Sequence, residues 1–134
     1  MTQSELFNDV NELLEEFKPG LIESLKKRGL VATTKVIKDA DALTYVVIKI
    51  KRVSDGETTP HFAKLSAEFK KNKIKAYQGV DEYSAVFKFE FKISEDSDEI
   101  SGYESTTVVI GNCWNIKLLF NSFSSRVNRV VSTL

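Results

Sequence analysis

Glu90 and Lys92 are the two residues whose types and spacing come nearest to supporting catalysis. They stand two residues apart in a segment with strand-like alternation, so both side chains would project from the same face of a strand. A carboxylate there could bind a divalent metal ion, and a lysine ammonium could orient a water molecule for attack. The pair therefore offers the chemistry of metal-assisted hydrolysis.

The string Glu90-Phe91-Lys92 resembles the end of a nuclease signature in which an upstream Asp joins a Glu-x-Lys sequence on a strand. The upstream acid would have to be Asp81 or Asp55, and neither lies in a sequence context that singles it out. The same Glu and Lys are also the expected solvent face of an amphipathic strand. A metal-dependent nuclease is therefore an alternative function, and a surface role for the pair is the main expectation.

Other catalytic and ligand-binding patterns are missing from the sequence. His61 and Cys113 are the only residues of their kinds, and nothing in the sequence brings them together as a nucleophilic pair. Cys113 adjoins Trp114, so we expect it to pack as a small hydrophobic residue. One His and one Cys are too few for a zinc site. The six glycines are isolated and form no phosphate-binding loop, so we expect neither a cofactor nor a metal ion.

A lysine-rich segment, residues 64–75, is the candidate binding site. Five lysines and one acidic residue, Glu68, give it a local charge of +4. Phe62, Phe69 and Tyr77 lie in or near it and would either stack on bases or point into the core. The segment contains no arginine, so it offers no bidentate contact to a base. We predict that any nucleic-acid binding is weak, independent of base sequence, and carried by Lys70, Lys71, Lys73 and Lys75.

An acidic segment, residues 94–101, has the opposite charge. Four acidic residues and no basic residue give it a local charge of −4, and it lacks the spacing of a calcium-binding loop. We expect a solvated hairpin loop there. Together with the lysine-rich segment it could steer head-to-tail association of identical chains. The edge strands of a sheet could also be extended by a second copy or by another protein.

The composition excludes several classes of protein. The chain has 134 residues, of which 42% are hydrophobic and 28% charged, as in soluble globular proteins. Lys plus Arg and Asp plus Glu are both 19, which argues against a globally basic nucleic-acid binder. The first ten residues carry no basic residue, so we expect no signal peptide, and no apolar run approaches the roughly 20 residues that cross a bilayer. The prediction is one cytoplasmic domain over residues 1–134, which could also be virion-associated.

The spacing of apolar residues predicts a helix near the amino terminus and a hairpin after it. Over residues 4–28 leucines, Val10 and Phe17 recur every three or four positions, with Gly29 as a helix end. Pro19 interrupts this helix, so we expect a kink or two shorter helices. Residues 30–38 and 43–53 are rich in β-branched residues and predict two paired strands.

The rest of the chain predicts more strands and another helix or two. Residues 60–72 fit either a strand or a helix, and their Ala, Lys, Leu and Glu content favours the helix. The clearest strand is 83–94, with Phe87, Phe89 and Phe91 on its core face, and 73–78 is expected to pair with it. Residues 103–110 predict a further strand. A last helix follows Asn112 and starts late, because residues 120–125 are poor in helix formers.

These elements predict an α+β fold: a single two-layer domain with a mainly antiparallel sheet of about five strands, packed by N-terminal and C-terminal helices. The functional prediction is a non-catalytic protein-interaction or assembly protein. A small subunit of a larger particle, or a viral or mobile-element inhibitor that acts by binding, would both fit. Its expected partner is another protein or a second copy of itself, with weak nucleic-acid binding as an alternative and no membrane contact.

Overall fold

The computed structural model describes residues 3–39, 43–52, 62–73, 81–92, 102–110 and 116–133. A long helix comes first, five strands follow it, and a second helix comes last. In chain order the elements are α1 Gln3–Lys26, β1 Leu30–Asp39, β2 Leu43–Arg52, β3 Phe62–Lys73, β4 Asp81–Lys92, β5 Gly102–Ile110 and α2 Ile116–Thr133. No helix in this part of the chain is both long and apolar enough to cross a bilayer.

The five strands form one antiparallel sheet in the order β1-β2-β3-β4-β5, so each strand pairs with its neighbour in sequence. The register is regular, and in the β1–β2 pair it runs from Leu30 opposite Arg52 to Asp39 opposite Leu43. Both helices pack on one face of the sheet and share its core. This α+β arrangement, with helices at both ends of the chain, confirms the predicted fold class.

The core lies between the helices and the inward face of the sheet. Val46, Ile48 and Ile50 of β2 are buried in alternation with exposed or half-buried neighbours. Phe87 and Phe89 of β4 are buried as predicted, and Phe91 is half-buried against the same core. The ring of Phe123 on α2 lies 5.4–6.3 Å, centre to centre, from four other rings: those of Phe69, Phe87, Phe89 and Phe120. These rings join the helical layer to the sheet.

Helix α1 continues through Pro19 as one 24-residue element, so the expected split into two helices does not occur. Five apolar side chains of α1 are buried. Their packing stabilises the helix and compensates for the backbone hydrogen bond that Pro19 cannot make. The helix ends at Lys26. Gly29 then adopts a left-handed conformation with φ of 69°, and its N–H donates to the carbonyl of Lys26 at 3.2 Å.

The predicted helix over residues 60–72 is wrong, because this part of the chain forms β3. Ala63, Leu65, Ala67 and Phe69 are buried in strict alternation with half-buried residues. A period of two suits a strand that lies between β2 and β4, and burial in the sheet outweighs the weak helical preference of Ala, Lys and Glu. Of the pairing expected for residues 73–78, only Lys73 is described: it ends β3 and lies opposite Asp81 of β4. Residues 74–78 lie outside the described residues.

Helix α2 begins earlier than its composition suggested. It starts at Ile116 and runs through the polar stretch 121–125. Leu119, Phe120 and Phe123 are buried there, and the hydroxyl of Ser124 donates to the carbonyl of Asn121 at 3.0 Å. Packing of the apolar stripe therefore compensates for the poor helix propensity of the serines and asparagine.

Candidate binding surface

The outer face of the sheet is the face turned away from both helices. Because side chains alternate along each strand, the residues that point outward from β1 to β4 can be read from the register. Among the described side chains they are Val31, Thr33, Lys35 and Ile37 of β1; Leu43, Tyr45, Val47, Lys49 and Lys51 of β2; Phe62, Lys64, Ser66, Glu68 and Lys70 of β3; and Ser84, Val86, Lys88, Glu90 and Lys92 of β4.

An apolar patch occupies the middle of the outer face. It consists of Ile37, Tyr45, Val47 and Val86, on three different strands. All four residues line one shallow depression of about 430 Å³, and lysines and glutamates border it. A second depression of about 400 Å³ adjoins it and shares Ile37, Val47 and Lys64. The outer face therefore combines an apolar centre with a charged border, which is the pattern of a protein-interaction surface.

The charge on the outer face is strongly positive. Among the outward side chains that the structure describes on β1 to β4 there are seven lysines and two glutamates, which gives these side chains a net charge of +5. Lys49 of β2 lies directly opposite Lys64 of β3, and Lys64 in turn lies opposite Glu90 of β4. Helix α1, on the other side of the molecule, has six acidic and two basic residues. The zero net charge of the chain thus conceals a basic sheet face and an acidic helix.

The four lysines predicted as a binding site do not share one face. Lys70 is exposed on the outer face, whereas Lys71 points to the helix side and is buried, with 8% of its surface exposed. Lys73 is the last residue of β3, and Lys75 lies outside the described residues. Neighbouring residues of a strand project in opposite directions, so a run of lysines that would cluster at a helix end is divided here.

Glu90 and Lys92 lie on the outer face, as the spacing predicted, but neither candidate for the upstream Asp is placed beside them among the described residues. Glu68 lines the same depression as Glu90. Asp81 is at the other end of β4, nine residues away, which corresponds to about 30 Å along a strand. Asp55 lies outside the described residues. No group of three or more potential metal ligands occurs in the described segments. Among the described residues, therefore, no metal site forms around Glu90, and the nuclease alternative stays a prediction.

Two other predicted features, the residues His61 and Cys113 and the acidic segment 94–101, lie outside the described residues. On the helix side, a cleft of about 460 Å³ separates α1 from α2 and is lined by Phe17, Gly20 and Asn128 among others. It brings together one carboxylate, Glu16, one guanidinium, Arg28, and two serine hydroxyls, but its described lining has no second acid and no histidine that could activate a serine.

Comparison with protein-family models, curated proteins and solved structures finds no match to this chain. The functional argument therefore depends on the surface itself. The alternation of apolar and charged residues in the sequence is enough to place Lys49 and Lys51 together on one face of their strand, and Lys88 and Lys92 together on one face of theirs. It did not indicate that Lys35 and Lys64 would join them, because this requires the strand order and the strand identity of residues 62–73.

Proposed function

We propose that this chain is a non-catalytic binding protein whose outer sheet face docks an acidic protein partner. The observation that carries the proposal is the apolar patch of Ile37, Tyr45, Val47 and Val86 inside a face whose described side chains on β1 to β4 carry a net charge of +5. A subunit of a larger assembly and an inhibitor that acts by binding would both use such a surface.

The two parts of the surface would contribute differently to binding. The apolar patch supplies free energy by leaving water when a partner covers it. The lysines around it would steer an acidic partner and fix its orientation, because complementary charge raises association rates and disfavours wrong partners. Lys35, Lys64 and Lys88 lie on three different strands around the patch. An acidic partner would therefore meet positive charge on several sides of the contact.

A protein fits this surface better than a nucleic acid does. Single strands are usually bound by several aromatic side chains that stack on bases. Of the two described aromatic residues on the outer face, Phe62 is buried with 5% of its surface exposed, and Tyr45 is half-buried. The other members of the patch are branched aliphatic residues. None of the outward residues of β1 to β4 is an arginine, the side chain best suited to a phosphate or a guanine.

The test uses a synthetic peptide in which glutamates alternate with valines, because it offers acidic and apolar groups together. Its affinity for the whole protein is measured by calorimetry, and the contact residues are located by amide chemical shifts. We expect shifts on β2, β3 and β4 and an affinity that falls about tenfold or more when Lys35, Lys64 and Lys88 are all replaced by Gln.

The matched control removes the same amount of charge elsewhere. Lys26, Lys27 and Lys117 lie at helix ends on the other side of the sheet, and their replacement by Gln should leave the peptide affinity within about twofold. An equal loss in both triple variants would mean that only the net charge attracts the peptide. Peptide-induced shifts confined to the helices would place the contact on the wrong face. Either result would overturn the proposal.

Duplex DNA serves as the competing ligand in the same assay. If DNA binds more tightly than the peptide, and with a log–log salt slope near −3 to −4 for about four released counterions, the surface is a nucleic-acid site instead. Incubation of DNA or RNA with Mg²⁺ tests the nuclease alternative. Cleavage that disappears in Glu90→Ala and Lys92→Ala, with the fold intact, would contradict a non-catalytic role.

A further inference from the structure

Strand β1 is an open edge of the sheet. It comes first in the strand order, and among the described strands it pairs with β2 alone. It is ten residues long, contains no proline, and follows β2 without a bulge. In an antiparallel pair alternate residues turn their N–H and C=O groups away from the partner, so about half of the β1 residues turn these groups toward this edge and not toward β2. Such an edge is suited to pairing with another strand.

Exposed apolar residues gather at the same edge. Four large apolar side chains are exposed in the described segments: Ile22 at 53%, Val31 at 52%, Ile37 at 38% and Leu118 at 55%. Val31 and Ile37 belong to β1 itself. Ile22 lies on α1, and this helix packs mainly over β1. Gly20 of the same helix lines the cleft toward α2. Ile22 is two residues farther along, which corresponds to a rotation of about 200° around the helix axis. Ile22 therefore faces away from α2, on the β1 side of the molecule.

We infer that two copies of this chain associate through their β1 strands, antiparallel and around a two-fold axis at Thr34. Residues that oppose each other across an antiparallel pair must point to the same face, so a symmetric pair of β1 strands has its axis at a residue. With the axis at Thr34, Val31 of each copy opposes Ile37 of the other on the outer face, and Ala32 opposes Val36 on the inner face.

Neighbouring registers are less favourable. Moving the axis to Lys35 places the two copies of Lys35 directly opposite each other, and like charges in that position are destabilising. Moving it to Thr33 sets Val31 against Lys35 and leaves Ile37 beyond the paired segment. Only the axis at Thr34 places the two exposed β-branched residues, Val31 and Ile37, opposite each other. In this register no lysine faces a lysine across the pair. The result would be one continuous ten-stranded sheet, twice the five strands of a single copy.

The first measurement is the mass of the full chain in solution as a function of concentration. We expect a reversible dimer of about 30 kDa, twice the 15.1 kDa of the chain, by sedimentation equilibrium. Ile37→Lys would place a charge against Val31 of the other copy at two symmetric positions, and it should raise the dimer dissociation constant by about tenfold or more. Leu118→Lys is the control, since it replaces another exposed large apolar residue, on α2, and should leave the constant unchanged.

The second measurement tests the register and does not depend on the effect of a destabilising charge. In a Cys113→Ser background, Thr34→Cys places two thiols directly opposite each other, with Cα atoms at about 4.5–5.5 Å, within disulfide range. It should form a covalent dimer under mild oxidation. Thr33→Cys should not, because its copies lie diagonally at about 8 Å.

Three outcomes would overturn the inference: a monomer up to millimolar concentration, a dimer that Ile37→Lys leaves intact, or efficient cross-linking through Thr33→Cys instead of Thr34→Cys. None of these measurements needs a partner protein. The inference and the proposed docking of an acidic partner can therefore fail separately.

Discussion

Lys49 of β2 and Lys64 of β3 oppose each other directly on the outer face of the sheet. Side chains in such positions have Cβ atoms about 4.5–5.5 Å apart, and like charges there lower stability. An acidic partner that covers the outer face would place negative charge beside both ammonium groups. The pair thus represents an electrostatic cost in the free protein that binding could relieve.

A double-mutant cycle measures this relationship directly. Lys49→Gln, Lys64→Gln and the double variant should reveal an unfavourable coupling of about 0.2–1 kcal/mol in the free energy of unfolding. The coupling should shrink in 1 M salt, where the Debye length is only about 3 Å. A parallel cycle with Lys49 and Lys88, which lie two strands apart, should give a coupling near zero. A favourable coupling between Lys49 and Lys64 would contradict the repulsion.

Phe89 tests the packing of the sheet against α2. Its side chain is 2% exposed and its ring centre lies 6.3 Å from that of Phe123. Phe89→Ala should lower the free energy of unfolding by about 3–5 kcal/mol in urea denaturation, because it leaves a cavity between the two layers. Phe91→Ala, two residues farther along the same face and only half-buried, should cost about half as much. A cost below about 1 kcal/mol at Phe89 would mean that the strand faces the other way.

Two glycines should respond in opposite ways to alanine. Gly20 lies inside α1, and an added Cβ would meet nothing within 4 Å, so Gly20→Ala should stabilise the protein by about 0.5–1 kcal/mol. Gly29 has φ of 69°, a conformation that alanine adopts with strain, so Gly29→Ala should destabilise it by about 1 kcal/mol. Thermal unfolding of both variants beside the parent measures the difference. A stabilising Gly29→Ala would argue against the left-handed turn.

Thr44 offers a test of a buried hydroxyl. Its Oγ1 is buried on the inner side of β2 and has no hydrogen-bond partner among the described residues. Thr44→Val keeps the shape and removes the hydroxyl, so we expect it to be neutral or stabilising by about 1 kcal/mol. Thr44→Ser keeps the hydroxyl and loses the methyl group, so it should cost about 0.5–1.5 kcal/mol. If Val were the more damaging change, the hydroxyl would have to donate or accept a hydrogen bond in solution.

Strands in which apolar and charged residues alternate regularly could be predicted from sequence, and β4 shows why. Phe87, Phe89 and Phe91 repeat every second position with charged residues between them, and the structure places them on the core side. The segment that became β3 has the same alternation, but its Ala, Lys and Glu residues also suit a helix. Local propensity is worth a few tenths of a kcal/mol per residue, whereas burial between two strands is worth far more. The deciding contacts are with β2 and β4, which are distant in sequence.

The candidate surface could be predicted only in part, for a related reason. Alternation within each strand is enough to place Lys49 and Lys88 on the faces opposite to their apolar neighbours. Whether they belong to one surface depends on the strand order, which no local pattern contains. The predicted binding site grouped Lys70 with Lys71 on local charge alone. Because residues 62–73 form a strand, the side chains of these two lysines project from opposite faces of β3.

The number of strands also sets the relative direction of the two helices, and with it the net dipole of the helical layer. Five antiparallel strands between the two helices reverse the chain so that α1 and α2 point the same way, and their macrodipoles add instead of cancelling. The positive end of α2 has no acidic residue in its own first turn. Asp9 and Glu12 of α1 border the cleft that Ile116 and Lys117 line at that end, so the neighbouring helix supplies the negative charge. One strand more or fewer would turn α2 around and leave those carboxylates beside a helix end that repels them.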